Sequence, residues 1–256
     1  MGSSMIQLEN LTKNYGKLVA VDALDLKVPA GELFGFLGPN GAGKTTTIRM
    51  MAGLLKPTAG EIYINGISVL REPEKAKQLC GFIPDRPFVY SKLTGREFMR
   101  FCGGLYDVSA SEIEPAIEGL TRLFHMEGYA DELIESYSHG MKQRLVMAAA
   151  LIHRPRVIIV DEPMVGLDPR GAKLVKRIFR ELCDHGITIF MSIHTLEVAE
   201  EMCDRIGIIQ EGSLVAVGTM AELKQQIGDS DGRLESIFFK LTGDEDMQEV
   251  ISALRL

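Results

Sequence analysis

The sequence has few of the features that mark nucleic-acid-binding, zinc-binding or redox proteins. It contains 28 Lys and Arg against 35 Asp and Glu, for a formal net charge of −7. Proteins that bind nucleic acid through its phosphates usually carry a basic surplus or stripe, so we expect no nucleic-acid partner. The four cysteines are widely spaced and form no C-x-x-C pair, which favours free thiols over a zinc or redox motif.

Long apolar runs are also missing. The most apolar stretches, Leu145–Ile152 and Ile187–Ile193, fall well short of the roughly 20 residues that a membrane helix needs, and both suit buried helices or strands. A chain of 256 residues, 46% of them hydrophobic, is long enough to bury a sizeable core. The first four residues, MGSS, are interpreted as an expression remnant and are left out of the prediction of the fold.

A glycine-rich loop between a strand and a helix is the first sign of a function. Glu32–Leu37 (ELFGFL) predicts a buried strand, GPNGAGKTT follows it, and KTTTIRMMAGLL then has the pattern of a helix. This is the setting that the phosphate-binding motif G-x-x-x-x-G-K-[ST] requires. The motif is matched by Gly38, Gly43, Lys44 and Thr45. By itself it predicts nucleotide binding and leaves kinase, GTPase and ATPase open.

The loop has the chemistry to hold nucleotide phosphates. Its glycines let backbone N–H groups turn toward an anion, and the helix N-terminus adds partial positive charge. Lys44 can reach the β- and γ-phosphates, and the Thr45 hydroxyl can bind Mg²⁺. The alternative is a glycine-rich turn without a ligand. The predicted nucleotide-binding residues of this segment are Gly38, Pro39, Asn40, Gly41, Ala42, Gly43, Lys44, Thr45 and Thr46.

Polar side chains also follow two later strands. Val157–Val160 predicts a strand covered on both faces, and Asp161 and Glu162 stand at its carboxyl end, where open α/β sheets bind ligands. Asp161 is placed to hold Mg²⁺ through water, and Glu162 is the candidate general base; the alternative is a carboxylate pair that caps the next turn.

ITIFMSIH delivers His194 to the same edge, as a contact to the γ-phosphate or as a structural residue. Because an N-K-x-D motif of GTPases is not found, ATP is the preferred nucleotide.

The order of these motifs resembles the ATP-binding subunit of ABC transporters. The glycine loop, a helical insert, YSHGM, VIIVDEP, GLDP and His194 follow one another over about 5–243. The resemblance implies an α/β fold: a P-loop NTPase core with a mixed sheet, an N-terminal antiparallel β region and an inserted helical subdomain. The expected bounds are 5–84 and 155–230 for the core, 85–154 for the helical subdomain and 231–256 for a C-terminal tail.

The resemblance also implies a site shared by two copies. In this family two cassettes stack head to tail, and each ATP lies between the glycine loop of one and the L-S-G-G-Q signature of the other. YSHGM matches that signature at Ser138 and Gly140 and departs from it at Tyr137, His139 and Met141. From local sequence alone Ser138 is the N-cap of the next helix; the resemblance adds a contact to the partner's ATP.

Two further site residues rest on the resemblance. Tyr15 stands where the family stacks an aromatic ring on adenine. Asp85 stands where the family commonly has a glutamine that senses Mg²⁺ and the γ-phosphate, so it is an expected metal ligand that departs from the usual residue type.

The implied function is ATP hydrolysis that drives transport through a separate integral membrane permease, at the cytoplasmic face of the membrane. The tail sequence LESIFFKLTGD and Asp85 favour export over import. The loop around Phe88, Val89 and Tyr90 is expected either to receive a helix of the permease or to pack on the helical subdomain. The rival functions are an ABC ATPase that acts on ribosomes or DNA, and a module that binds ATP without hydrolysing it.

Overall fold

The structure, a computed structural model, describes residues 4–226 and 234–242. The strands are β1 Ser4–Tyr15, β2 Leu18–Pro29, β3 Leu33–Leu37, β4 Ala59–Ile64, β5 Ile67–Ser68, β6 Cys80–Ile83, β7 Val157–Asp161, β8 Thr188–Ile193, β9 Arg205–Gln210 and β10 Ser213–Gly218. The helices are α1 Lys44–Met51, α2 Pro73–Gln78, α3 Gly95–Leu105, α4 Ala110–Leu123, α5 His139–Leu151, α6 Pro169–Asp184, α7 Leu196–Met202, α8 Met220–Gln226 and α9 Leu234–Thr242.

Parts of three predicted segments lie outside the described residues. These are residues 1–3 of the predicted expression remnant, 227–230 of the predicted core, and 231–233 and 243–256 of the predicted tail. Ser4 is the first residue of β1, and α9 forms the described part of the tail.

A six-stranded sheet forms the centre of the fold. Its strand order is β10-β9-β3-β8-β7-β6. Neighbouring strands from β9 to β6 run parallel, and β10 is antiparallel to β9. Every residue of β3, β7 and β8 is buried, as expected of parallel strands covered on both faces. The carboxyl ends of β3, β8, β7 and β6 therefore share one edge of the sheet.

A second sheet covers one face of the first. Its order is β2-β1-β4-β5, with antiparallel pairing throughout. Side chains from this sheet and from α1 form one apolar cluster with Phe34, Phe36 and Phe190 of the central sheet. The ring centroids of Phe34 and Phe36 lie 5.4 and 5.3 Å from that of Phe190, so three aromatic rings fill the space between the layers.

Helices α3, α4 and α5, with a 3-10 turn at Ile134–Ser136, occupy the insert between β6 and β7. A capping box begins α3: the Glu97 N–H donates to Thr94 Oγ1, and the Thr94 N–H donates to Glu97 Oε2. The C-terminal end of α5 lies against β6, because a Cβ at Gly81 would stand 2.5 Å from the Ala150 carbonyl oxygen. The predicted α/β architecture, with a mixed sheet, an antiparallel β region and inserted helices, is confirmed.

None of the helices within 4–226 and 234–242 combines the length and the apolar character that are needed to cross a membrane.

Replacing Phe190 with Ala should lower the free energy of unfolding by about 3–5 kcal/mol, because the side chain is fully buried and its loss leaves a cavity that the neighbouring rings fill only in part. The matched control is Phe88→Ala, the same chemical change at a side chain that is 81% exposed, where we expect a change within about 0.5 kcal/mol. Denaturant unfolding followed by circular dichroism measures both. Equal losses for the two variants would contradict this account of the core.

Candidate nucleotide-binding site

The glycine loop lies between the end of β3 and the start of α1, and its shape depends on close backbone contacts. A Cβ at Gly38 would stand 2.4 Å from the Ile209 carbonyl oxygen, and one at Gly43 would stand 2.4 Å from the Ala20 carbonyl oxygen. Gly43 also has a φ of 107°, a conformation that residues with a side chain rarely adopt. The loop is therefore held between β9 and β2, and Asn40 at its tip is exposed.

Lys44 is buried inside this loop. Its Nζ donates hydrogen bonds to the carbonyl oxygens of Gly38 (2.6 Å) and Pro39 (3.0 Å). Burial lowers the pKa of the Lys44 ammonium from its ordinary value, and the nearby carboxylates of Glu162 and Asp161 partly raise it again. A cation held this way is placed to exchange neutral carbonyl partners for phosphate oxygens.

The threonines that follow Lys44 differ in their surroundings. Thr47 is fully buried, and its Oγ1 donates to the Gly43 carbonyl oxygen (3.0 Å), so its role is to hold the first turn of α1. Thr45 is exposed and Thr46 is half-buried. Of the three residues, Thr45 is the most exposed.

The two predicted acidic residues lie where β7 ends, and one hydroxyl group contacts both. Asp161 is only 4% exposed. The Ser192 Oγ donates to Asp161 Oδ1 and accepts a hydrogen bond from the Glu162 N–H (3.0 Å). The sequence analysis missed Ser192; the available signal was a hydroxyl residue in the otherwise apolar end of β8.

Glu162 and His194 are brought together, as the sequence predicts for groups at one sheet edge. His194 Nδ1 lies 3.2 Å from Glu162 Oε1, and both side chains are partly exposed. The pair stands at the ends of the neighbouring strands β7 and β8, and β8 lies directly beside β3, whose end carries the glycine loop. Both groups are open to solvent. The carboxylate can therefore accept a proton from a water molecule, and the imidazole can orient that water or the group that it attacks.

The donor set at this edge fits Mg²⁺ bound together with a nucleotide. In the described part of the chain, no group of three or more His, Cys, Asp or Glu side chains could hold a metal ion. Mg²⁺ typically takes one or two carboxylates and completes its shell with water and substrate phosphates. Asp161 and Thr45 can supply such a partial set. Asp85, which follows β6, is exposed and lines a cavity of about 520 Å³ together with Asp161.

Tyr15 lies at the end of β1, where the β1–β2 hairpin turns. Its ring is 48% exposed, and Lys13 Nζ stands 5.2 Å from the ring centroid. The same hairpin reaches the glycine loop through Ala20. The structure thus leaves an aromatic surface accessible on the element that borders the phosphate loop; the predicted stacking on adenine stays a prediction.

Ser138 is the N-cap of α5. Its Oγ accepts a hydrogen bond from the Met141 N–H (3.3 Å), and the Ser138 N–H donates to the Met141 sulfur atom (3.4 Å). Methionine thus replaces the usual Glu or Gln of a capping box. The helix-cap interpretation is confirmed, and Ser138 remains exposed. The contact of Ser138 and Gly140 with ATP of a second copy stays a prediction.

A contact that the sequence analysis missed joins the start of α5 to the loop after Glu162. Gly166 has a φ of 76°, and a Cβ there would stand 2.3 Å from His139 Cδ2 and 2.6 Å from Nε2. The His139 ring therefore packs directly on Gly166. Two residues later, Asp168 caps α6 by accepting a hydrogen bond from the Gly171 N–H (2.6 Å), as the Asp-Pro pair predicts.

Comparisons with known proteins place this arrangement in one family. The family model for ABC transporters matches residues 21–165. LnrL of Bacillus subtilis, a linearmycin resistance ATP-binding protein, is 38% identical over 224 residues, which are 88% of this chain and 72% of LnrL. YbhF of Escherichia coli, a probable multidrug ABC transporter ATP-binding protein, is 34% identical over 96% of this chain. The chain spans only 43% of YbhF.

Solved structures that superimpose on this chain include an ATP-binding subunit and an ATP-binding cassette. The structure of an ATP-binding subunit of an ABC transporter superimposes with a TM-score of 0.88 at 31% identity, over 93% of this chain and 99% of that one. The ATP-binding cassette MJ0796, solved as a dimer in a post-hydrolysis state with ADP and Pi, gives a TM-score of 0.78 at 26% identity, over 84% of this chain and 99% of that one.

Replacing Gly166 with Ala should destabilise the protein by about 2–4 kcal/mol, because it adds a left-handed non-glycine residue and forces the His139 ring to move. Gly66→Ala is the matched control, since Gly66 has a φ of 77° and nothing within 4 Å of an added Cβ. That control should lose only the free energy that an alanine costs in the left-handed backbone conformation, about 1–2 kcal/mol.

In a His139→Gly background, adding Gly166→Ala should cost only about as much as Gly66→Ala costs in the parent, as measured by denaturant unfolding. If Gly166→Ala alone were no worse than Gly66→Ala, the His139 ring would not constrain this loop.

Proposed function

The chain belongs to the ABC transporter family, and we propose that its ATP hydrolysis powers export through a separate membrane protein. It is an ATP-binding subunit and an ATPase of this family. The observation that carries the proposal is the 3.2 Å contact between Glu162 and His194 beside the buried Lys44. A base, a group that can contact the γ-phosphate and a phosphate-binding cation thus share one sheet edge.

Each group has a distinct role in this proposal. Lys44 and the loop N–H groups bind the phosphates of ATP and stabilise the charge that develops during transfer. Glu162 accepts a proton from the attacking water, and His194 orients the γ-phosphate and that water. Tyr15 stacks on the adenine ring.

Thr45 and Asp161 would hold Mg²⁺, with Asp85 as a further carboxylate at the same edge. A bound Mg²⁺ would offset the charge of the β- and γ-phosphates. Asp161 is suited to this because it is nearly buried, at 4% exposure, and a nearby cation stabilises a buried carboxylate.

Two copies of the chain would complete each ATP site. The N-terminus of α5 carries an exposed Ser138 hydroxyl and, at Gly140, a backbone without a side chain. The N-terminal end of a helix favours an anion, so it suits the γ-phosphate of ATP on a partner's glycine loop. The dimeric state of the similar cassette MJ0796 supports this arrangement.

An apolar surface beside the site would bind the membrane subunit. The 520 Å³ cavity is lined by side chains of the inserted helices, among them Phe98 and Tyr106. Phe88 at its rim is 81% exposed and Tyr90 nearby is 59% exposed, whereas Val89 packs on the apolar cluster of the insert. Large exposed apolar patches mark binding surfaces. We assign this one to an apolar cytoplasmic segment of the permease, which would hold the chain at the cytoplasmic face.

The names of two relatives support the direction of transport. LnrL is described as a resistance protein and YbhF as a probable multidrug transporter protein, and resistance to a drug is most simply achieved by its removal from the cell.

The first test is the oligomeric state of Glu162→Gln with Mg-ATP, which blocks turnover and so preserves the ATP-bound form. Light scattering should give 28.2 kDa without nucleotide and twice that mass with it. Ser138→Arg in the same background should abolish the dimer, because the added side chain fills the space for the γ-phosphate. Ser136→Arg is the matched control, an equal change at an exposed serine two residues earlier, and should leave the dimer intact.

If the protein stays monomeric under all conditions while the parent still hydrolyses ATP, Ser138 acts only as a helix cap and the shared site is refuted. Nucleotide binding without hydrolysis by the parent at any protein concentration would instead favour a regulatory module.

The second test uses a photo-crosslinking amino acid in the apolar surface. In membranes from cells that produce the protein, a crosslinker at Phe88 should capture an integral membrane protein that only detergent extracts. The same crosslinker at Leu133, which is 43% exposed and does not line the cavity, should not. Capture of ribosomal or DNA-bound proteins from position 88 would overturn the proposed coupling to transport.

A further inference from the structure

The Ser192 hydroxyl is placed to control the geometry of both acidic residues at the end of β7. Its Oγ donates to Asp161 Oδ1 and accepts from the Glu162 N–H at 3.0 Å. The side chain is completely buried, so water does not compete for these bonds. Ser192 lies directly opposite Asp161 in the parallel register of β7 and β8, which brings the hydroxyl within reach of both partners.

Glu162 has an unusual backbone that depends on this contact. Its φ is 49°, in the left-handed region that non-glycine residues disfavour and that often occurs at functional sites. In this conformation its N–H donates to the Ser192 Oγ at 3.0 Å. Without that acceptor, a partly buried N–H group would lack a partner, which is costly.

The same turn directs the Glu162 side chain toward His194. The carboxylate lies 3.2 Å from His194 Nδ1, and His194 follows Ser192 by two residues on the same chain segment. One hydroxyl group therefore contacts Asp161 through its carboxylate and Glu162 through its N–H, and the Glu162 carboxylate in turn lies beside His194.

We propose that Ser192 is a positioning residue for ATP hydrolysis. It fixes the orientation of the Asp161 carboxylate, so that Oδ2 remains available to a cation and its water shell. It also holds Glu162 in the left-handed conformation that aims the base at the attacking water. Ser192 acts through these two residues and does not touch ATP. The inference rests on the proposed roles of Asp161 and Glu162.

The test is Ser192→Ala, which removes the hydroxyl and little else. We expect kcat to fall about 10–100-fold, the usual effect of losing a group that orients a metal ligand or catalytic residue. The KM for ATP should hardly change, because the glycine loop and Lys44 are untouched; such a split indicates an interaction made in the transition state. The Mg²⁺ concentration that gives half-maximal rate should rise.

A second readout does not depend on activity. In the nucleotide-free protein, the Glu162 amide should exchange its hydrogen with solvent faster in Ser192→Ala than in the parent, as measured by NMR. Ser192→Cys, which keeps a polar atom of weaker accepting power at this position, should give values between those of Ala and Ser for both exchange and kcat.

Thr188→Val is the matched control. Thr188 is also fully buried on β8, but its Oγ1 accepts from the Gly31 N–H (2.9 Å) at the other end of the strand. Thr188→Val should lose about as much stability as Ser192→Ala. Its kcat and the exchange rate of its Glu162 amide hydrogen should equal those of the parent. If Thr188→Val lowered kcat as much as Ser192→Ala, the effect would be one of general stability and the proposal would fall.

The outcomes separate this inference from the proposed function. Parent protein that hydrolyses ATP, with Ser192→Ala unchanged in kcat and in Glu162 exchange, refutes the positioning role alone. Parent protein that does not hydrolyse ATP refutes the proposed function, while the exchange of the Glu162 amide still decides whether Ser192 holds this turn.

Discussion

The parallel pairing of β3, β8, β7 and β6 is the constraint on which the rest of the molecule depends. Parallel strands place their carboxyl ends together, so segments far apart in the chain deliver their polar residues to one edge: the glycine loop, the acidic pair, His194 and Asp85. The register matters as much as the direction, since Leu37 lies opposite Ile193 and Asp161 opposite Ser192. A shift of one residue would turn these side chains to the other face of the sheet.

Buried polar groups at this edge of the sheet have hydrogen-bond or charged partners close by. Lys44 Nζ donates to two carbonyl oxygens inside the loop, and the acidic residues nearby partly offset the lowering of its pKa by burial. Asp161 has the Ser192 hydroxyl on one oxygen. These contacts hold the site in shape before a nucleotide arrives, which reduces the reorganisation that binding and reaction require.

Helix α5 connects this edge with the inserted helices. Its C-terminal end lies against β6 at Gly81, and its N-terminal end carries Ser138 beside the loop that follows Glu162. The contact between His139 and Gly166 joins the signature segment to that loop within one chain.

The sequence alone determined the parts whose signals are local. The glycine loop between a strand and a helix, the caps at Thr94 and Asp168, and the buried strands that end at Asp161 and before His194 all follow from short patterns of residue type. Tertiary structure decided the parts that join distant segments: the hydroxyl of Ser192, 31 residues from Asp161, and the packing of His139 on Gly166. A serine in a strand and a histidine in a helix have many possible partners, and only strand register and helix placement choose among them.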